Sequence, residues 1–249
     1  MTNDRLLLLH GFTGSRQNWA AHLPAFVDNF DVMTVDIVGH GRSPSPPDPA
    51  AYKMERVAAQ IMASVAQPIT LLGYSMGGRL ALYIAVHYPH LVKRLILESS
   101  SPGLATAVER QVRKQRDDVL ANWIEANGIE AFVNRWETLS LWESQKQLPI
   151  EKREALRQQR LQNNPVGLAN SLRGMGTAVQ PSLWHKLPNL TMPILLIVGE
   201  LDTKFITIGQ QMVALMSNGQ LEVVAGAGHM VHLERPLPFQ QLVCEFKSL

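Results

Sequence analysis

One cysteine, Cys244, occurs in 249 residues. A lone thiol excludes an intrachain disulfide and leaves no cysteine-based metal cluster. It falls in an apolar helical pattern near the C-terminus, where a buried, inert thiol is expected. No H-x-x-x-H or similar ligand spacing is present, so neither a metal nor a cofactor is expected. No apolar run approaches the roughly 18 residues of a membrane span. The opening MTNDRLLLLHGF lacks the long hydrophobic region and cleavage site of a signal peptide. The net charge is only +2, which gives no ground for a nucleic-acid partner. Internal repeats and low-complexity segments are also missing. These absences point to a cytoplasmic protein without membrane insertion, and a hydrophobic content of 46% supplies a globular core.

What is present is an alternation of strand and helix patterns. Apolar or alternating runs at Leu6–Leu9, Asp31–Asp36, Ile69–Leu72, Leu91–Glu98, Met192–Val198 and Leu221–Val224 read as strands. Helical patterns fall at Trp19–Phe26, Glu55–Ala66, Met76–Tyr88, Ile208–Met216 and Pro236–Phe246. Strands alternating with helices imply a mostly parallel sheet covered on both faces. From about Pro102 to His185 no strand pattern appears. That segment is rich in Arg, Gln, Glu, Trp and Leu and reads as helices inserted into the α/β core. The expected division is a first core part at 1–101, a helical cap at 102–186 and a second core part at 187–249.

The organising stretch is Leu71–Leu82. Gly73-Tyr74-Ser75-Met76-Gly77 fits G-x-S-x-G between an apolar strand and a helical run. A serine on such a turn has its hydroxyl lifted clear of the sheet, and the turn demands small neighbours where chains approach closely. The helix start offers free N–H groups to a developing anion. A serine hydroxyl needs an imidazole to take its proton and an acid to orient that imidazole. Asp202 and His229 each follow a predicted strand, as Ser75 does, and parallel sheets collect their sites at those ends. Competing residues have plainer readings. Asp31 and Asp36 are turn or loop acids, His40 is structural in its loop, and His10 organises a loop. His232 lies three residues past His229 but lacks its glycine-rich approach. His22, His87, His90 and His185 are expected at the surface.

In the order Ser75, Asp202, His229, and over nearly its whole length, the chain resembles the α/β-hydrolase family. The motifs that carry the resemblance are HGFTG at His10–Gly14, GHGRS at Gly39–Ser43, GYSMGG at Gly73–Gly78, GELD at Gly199–Asp202 and GAGH at Gly226–His229. The resemblance implies an oxyanion hole from the backbone N–H groups of Phe12 and Met76. Family members often begin with an antiparallel strand pair. Only nine residues precede His10, so that pair is expected to be missing.

Charge adds a hint about the substrate. Arg79 lies one helical turn beyond Ser75, which can bring a guanidinium near the nucleophile. A salt bridge to a nearby acid is the plainer reading. Basic stretches at Glu109–Asp118 and Arg153–Asn164 are mostly solvated faces, but arginine forks suit carboxylates. Within the superfamily the chain most resembles the 2-succinyl-6-hydroxy-2,4-cyclohexadiene-1-carboxylate synthases of menaquinone biosynthesis. GYSMGGR, the SSSPGL turn at Ser99–Leu104, the Glu109–Asp118 helix, Trp136, Arg160–Asn164 and LDTKF at Leu201–Phe205 carry that likeness. It implies substrate binding by Tyr74, Arg79, Arg113, Trp136, Arg160 and Lys204, with Arg110, Arg116 and Arg157 as near alternatives in the cap. It further implies a small tricarboxylate substrate and a lyase that eliminates pyruvate, with Ser75 as base. Two other readings use the same residues or fold: a serine hydrolase acting on esters or carbon–carbon bonds, and a non-catalytic small-molecule receptor.

Overall fold

The computed structural model describes residues 4–248. In chain order the core begins with β1 (Asp4–Leu9), α1 (Leu23–Val27), β2 (Phe30–Val35), α2 (Met54–Met62), β3 (Ile69–Tyr74), α3 (Met76–His87) and β4 (Val92–Glu98). Three helices follow: α4 (Ala107–Trp136), α5 (Ile150–Leu161) and α6 (Pro165–Met175). The chain then returns through β5 (Ile194–Gly199), α7 (Thr203–Val213), β6 (Gly219–Val224), α8 (Val231–Glu234) and α9 (Pro236–Glu245). The six strands form one sheet in the order β2-β1-β3-β4-β5-β6, and every pairing in it is parallel.

Alternate residues of the central strands feed opposite faces, as the period of two requires. Leu7, Leu9, Leu71, Leu95, Leu97, Ile194 and Leu196 pack with α2, α3 and α7 in one core. Leu6, Leu8, Leu72, Ile96, Leu195 and Ile197 pack with Phe26, Val231, Phe239 and Val243 in the other. Burial on both faces explains why β1, β3 and β5 read as near-continuous apolar runs. A third cluster, containing Ala121, Ile124, Phe132, Val133, Leu168, Ala169 and Leu172, lies between α4 and α6. Thr106 starts α4 with a capping box to Glu109. Gly128 (φ 77°, ψ 178°) breaks its helical geometry.

Several local expectations shift. The single helix expected at Trp19–Phe26 is instead a 3-10 turn, Arg16–Trp19, followed by α1. Ser15 and Asn18 cap that turn reciprocally. Pro24, without an N–H to donate, stands in the first turn of α1. The helix expected from Ile208 begins at Thr203, directly after Asp202. His22 is buried, not at the surface. Its ring lies among Trp19, Phe26 and Phe239, and burial pulls its pKa down to about 3. His87, His90 and His185 are exposed. Cys244 is half-buried rather than enclosed. Among the described residues, no helix is long and apolar enough to cross a membrane.

Candidate active site

The sheet order reverses between β1 and β3: the chain leaves β1 for β2 on one side and returns to β3 on the other. Ligand crevices form at such a switch point, beyond the carboxyl ends of the strands. The loop after β1 and the turn after β3 meet there. Ser75, the first residue past β3, has φ 50° and ψ −107°, a strained conformation for a side chain with a Cβ. The turn closes only because its neighbours are small. A Cβ on Gly73 would stand 2.3 Å from the carbonyl oxygen of Gly77, and one on Gly77 would stand 2.3 Å from that of Leu9.

The Ser75 hydroxyl lies 3.0 Å from Nε2 of His229. Nδ1 of the same ring lies 2.6 Å from Oδ2 of Asp202. With Nδ1–H donating to the carboxylate, Nε2 is left to accept the serine proton. Asp202 follows β5 at the head of α7, and His229 follows β6. Both are buried. His232 pairs with Glu98 instead, so it stands apart from this chain of hydrogen bonds. Of the two backbone amides expected to serve an oxyanion, one belongs to Met76, the residue after Ser75, and the other to Phe12, which lines the same cavity. Among the described residues neither enters a turn, cap or side-chain hydrogen bond, which leaves both available to an anion.

The loops around this arrangement are held by His10, His40 and Asp36. His10 accepts the Ile37 amide through Nε2 at 3.0 Å and lies 2.8 Å from the Gly11 carbonyl through Nδ1. Burial lowers its pKa to about 4, which keeps the ring neutral. His40 is likewise neutral, lowered to about 3 by burial and by His10. The Asp36 carboxylate accepts the amides of Arg16 and Arg42, and Asp31 pairs with Arg5 on the surface.

Ser75 and His229 open into a cavity of about 270 Å³. Its wall includes Phe12, Tyr74, Met76, Arg79, Arg113, Trp136 and Lys204. Arg79 is held without an acid: Nη1 donates to the Met175 carbonyl and to Oε1 of Gln180, each at 2.9 Å. Burial, helped by the nearby Arg113, lowers its pKa to about 10. Arg113 donates to Asp117 at 2.7 Å. Lys204 lies over the ring of Phe205, 5.4 Å from the centroid. Burial pushes the Tyr74 phenol well above its ordinary pKa, so it remains a neutral O–H. The wall is thus largely apolar, with several cations and hydroxyls, among them Ser99, Ser100 and Ser101.

Arg160 is not in that wall. Its guanidinium donates to Glu137 at 3.1 Å and to Gln145 at 3.2 Å, and lies over the ring of Trp142. Trp142 itself lines the cavity, so this indole stands between Arg160 and the cleft. Arg157 also pairs with Glu137, and Arg110 donates to the Leu104 carbonyl. Arg116 lines a separate surface hollow with Arg135 and Val119. Sequence reasoning missed Trp142, Gln180 and Phe205. Phe205 lies in the LDTKF stretch and was within reach, whereas no periodicity marks Trp142 or Gln180. Among the described residues, no group of three or more His, Cys, Asp or Glu side chains could hold a metal ion.

The sequence profile described as alpha/beta hydrolase fold matches residues 4–236. A protein of Bacillus subtilis (strain 168) described as a putative 2-succinyl-6-hydroxy-2,4-cyclohexadiene-1-carboxylate synthase is 42% identical, over 98% of this chain and 90% of its own. The synthase of that name from Pectobacterium atrosepticum is 30% identical, over 98% and 93% of the two chains. Among solved structures, MenH from S. aureus superposes with a TM-score of 0.96 at 37% identity, covering 100% of this chain and 94% of that one.

Proposed function

The chain belongs to the α/β-hydrolase fold family, and within it we propose that it is a 2-succinyl-6-hydroxy-2,4-cyclohexadiene-1-carboxylate synthase of menaquinone biosynthesis. The relatives that match it nearly end to end bear that name. The observation that carries the reading is the joining of a Ser75–His229–Asp202 relay to a cleft bearing Arg79, Arg113 and Lys204. Hydrolysis needs the relay alone. A polyanionic substrate needs the cations as well.

In this reading the substrate is 2-succinyl-5-enolpyruvyl-6-hydroxy-3-cyclohexene-1-carboxylate, and residues 102–186 serve as a cap over a core made of 1–101 and 187–249. Asp202 fixes the His229 tautomer and stabilises the imidazolium that forms. His229 draws the proton from Ser75, whose oxygen takes the ring proton beside the succinyl carbonyl. The electrons of that C–H bond move into the ring, and charge builds on the succinyl oxygen, where the Phe12 and Met76 amides receive it. The ring double bond shifts and the carbon–oxygen bond to the enolpyruvyl group breaks. The departing enolate takes a proton to become pyruvate, and the ring is left as a conjugated diene. Arg79, Arg113 and Lys204 bind carboxylates, while Tyr74 and Trp136 shape the floor and wall. Each group acts without a cofactor.

Pyruvate release from the purified intermediate, followed by coupled reduction, tests the proposal. Stoichiometric pyruvate with loss of the enol ether is expected. Ester turnover with no pyruvate from the intermediate would overturn it.

A further inference from the structure

Behind the relay lies a second carboxylate–imidazole pair that takes no part in the proton transfer just described. Glu98, the last residue of β4, is fully buried. Its two carboxylate oxygens lie 2.9 and 2.8 Å from Nδ1 of His232, and its Oε1 also accepts the His232 backbone N–H at 3.0 Å. A buried carboxylate bonded to both the backbone and the ring of one residue is a rigid link, because releasing either bond strands a charge away from water. The His232 ring is wedged between Trp19 and Tyr74, with centroids 4.7 and 4.8 Å away.

The two ends of this link are attached to the two reacting residues. At one end, the Glu98 carbonyl accepts the backbone N–H of Ser75 at 2.8 Å, so the residue that grips His232 also holds the strained turn. At the other end, His232 lies three residues past His229. From just beyond His232, the Glu234 carboxylate accepts the amides of Gly228 and Met230 on either side of His229. Glu234 shapes the His229 loop locally. Other bonds hold that loop to the end of β5, and Glu98 ties it to β4, beside Ser75.

We propose that Glu98 is a positioning residue: through His232 it sets the gap between Ser75 Oγ and His229 Nε2. This rests on the reading of Ser75 and His229 as the reacting pair. A displacement of about 1 Å in such a gap can cost on the order of 100-fold in rate.

The test uses Glu98→Gln, His232→Leu and His232→Asn. Asparagine places an N–H near the position of Nδ1 and can still donate to Glu98. Pyruvate release gives kcat and KM, labelling of Ser75 by an organophosphonate reads nucleophile activation independently of the substrate, and thermal melts report folding. Glu98→Gln and His232→Leu are expected to lower kcat and the labelling rate together by about 10–100-fold, with KM within about twofold. His232→Asn recovers most of the loss. Should Glu98→Gln not fold, the comparison of His232→Asn with His232→Leu decides. Folded variants with wild-type kcat and labelling overturn the proposal, as does a loss that follows only the fraction of folded protein. A wild-type enzyme that is labelled at Ser75 yet releases no pyruvate counts against the lyase reading and leaves the labelling comparison intact.

Discussion

Arg160 lies against the face of Trp142, its guanidinium carbon 5.1 Å from the ring centroid. The same indole meets the His229 ring edge-on at 5.8 Å. A buried cation therefore braces, through one aromatic side chain, the imidazole that lies 3.0 Å from the Ser75 hydroxyl.

This arrangement separates two roles for Arg160. Removing it takes the donor from Gln145 Oε1, leaves Glu137 with Arg157 alone and unsupports Trp142, so Arg160→Ala is expected to cost about 1.5–3 kcal/mol of stability, the scale of a lost charged hydrogen bond. Urea unfolding gives that number. An unchanged unfolding midpoint with a raised KM would instead mean that Arg160 reaches the substrate directly.

Arg79→Ala and Arg113→Ala are expected to behave differently. Each loses a cation facing the cleft, and kcat/KM on the anionic intermediate should fall by about 10–100-fold, most of it in KM. Wild-type kinetics in both variants would remove the argument for a carboxylate-rich substrate. Gln180→Leu should reproduce part of the Arg79 effect, because Gln180 orients that guanidinium.

Ser75→Ala is expected to lower kcat by about 1000-fold or more, since alanine can neither relay a proton nor be activated by His229. Turnover in oxygen-18 water distinguishes elimination from hydrolysis. Elimination takes no solvent oxygen in the bond-breaking step. A substrate-derived adduct trapped on Ser75 and formed at the rate of kcat would make the enzyme a hydrolase.

Acid should destabilise the fold through its buried histidines. His10, His22 and His40 have pKa values lowered to about 4, 3 and 3, against ~6.5 in the unfolded chain. Between those values the unfolded chain binds more protons, so stability is complete above about pH 6.5 and falls as the pH drops towards 3. Each ring contributes at most about 1.4 kcal/mol per pH unit in that window. Urea midpoints between pH 7 and 4.5 measure the slope. His22→Phe, which suits the surrounding aromatic cluster, should flatten it by close to one proton's share. An unchanged slope would mean that His22 is protonated without unfolding.

Much of the core is legible in the sequence because burial on both sheet faces writes strands as unbroken apolar runs, as at Leu6–Leu9 and Ile194–Val198. Ser75, Asp202 and His229 are legible for a related reason: each follows a strand, and a parallel sheet gathers those ends at one edge. Arg160 is not, because its partners lie at Glu137 and Gln145, and only tertiary packing decides whether a cap arginine faces a cleft or a neighbouring helix. His22 misleads because residue type favours the surface while Trp19, Phe26 and Phe239 enclose it. Glu98 reads only as the end of a strand. Its tie to His232 spans 134 positions and leaves no local pattern.

Phe12 belongs to two structures at once. In the proposed reaction its amide receives the charge on the succinyl oxygen, and its ring packs against Phe132 and Trp136 of α4, with centroids 6.1 and 5.5 Å away. A helix shifted outward would draw the ring with it and carry the amide off its mark. The placement of that amide is therefore tied to the packing of α4.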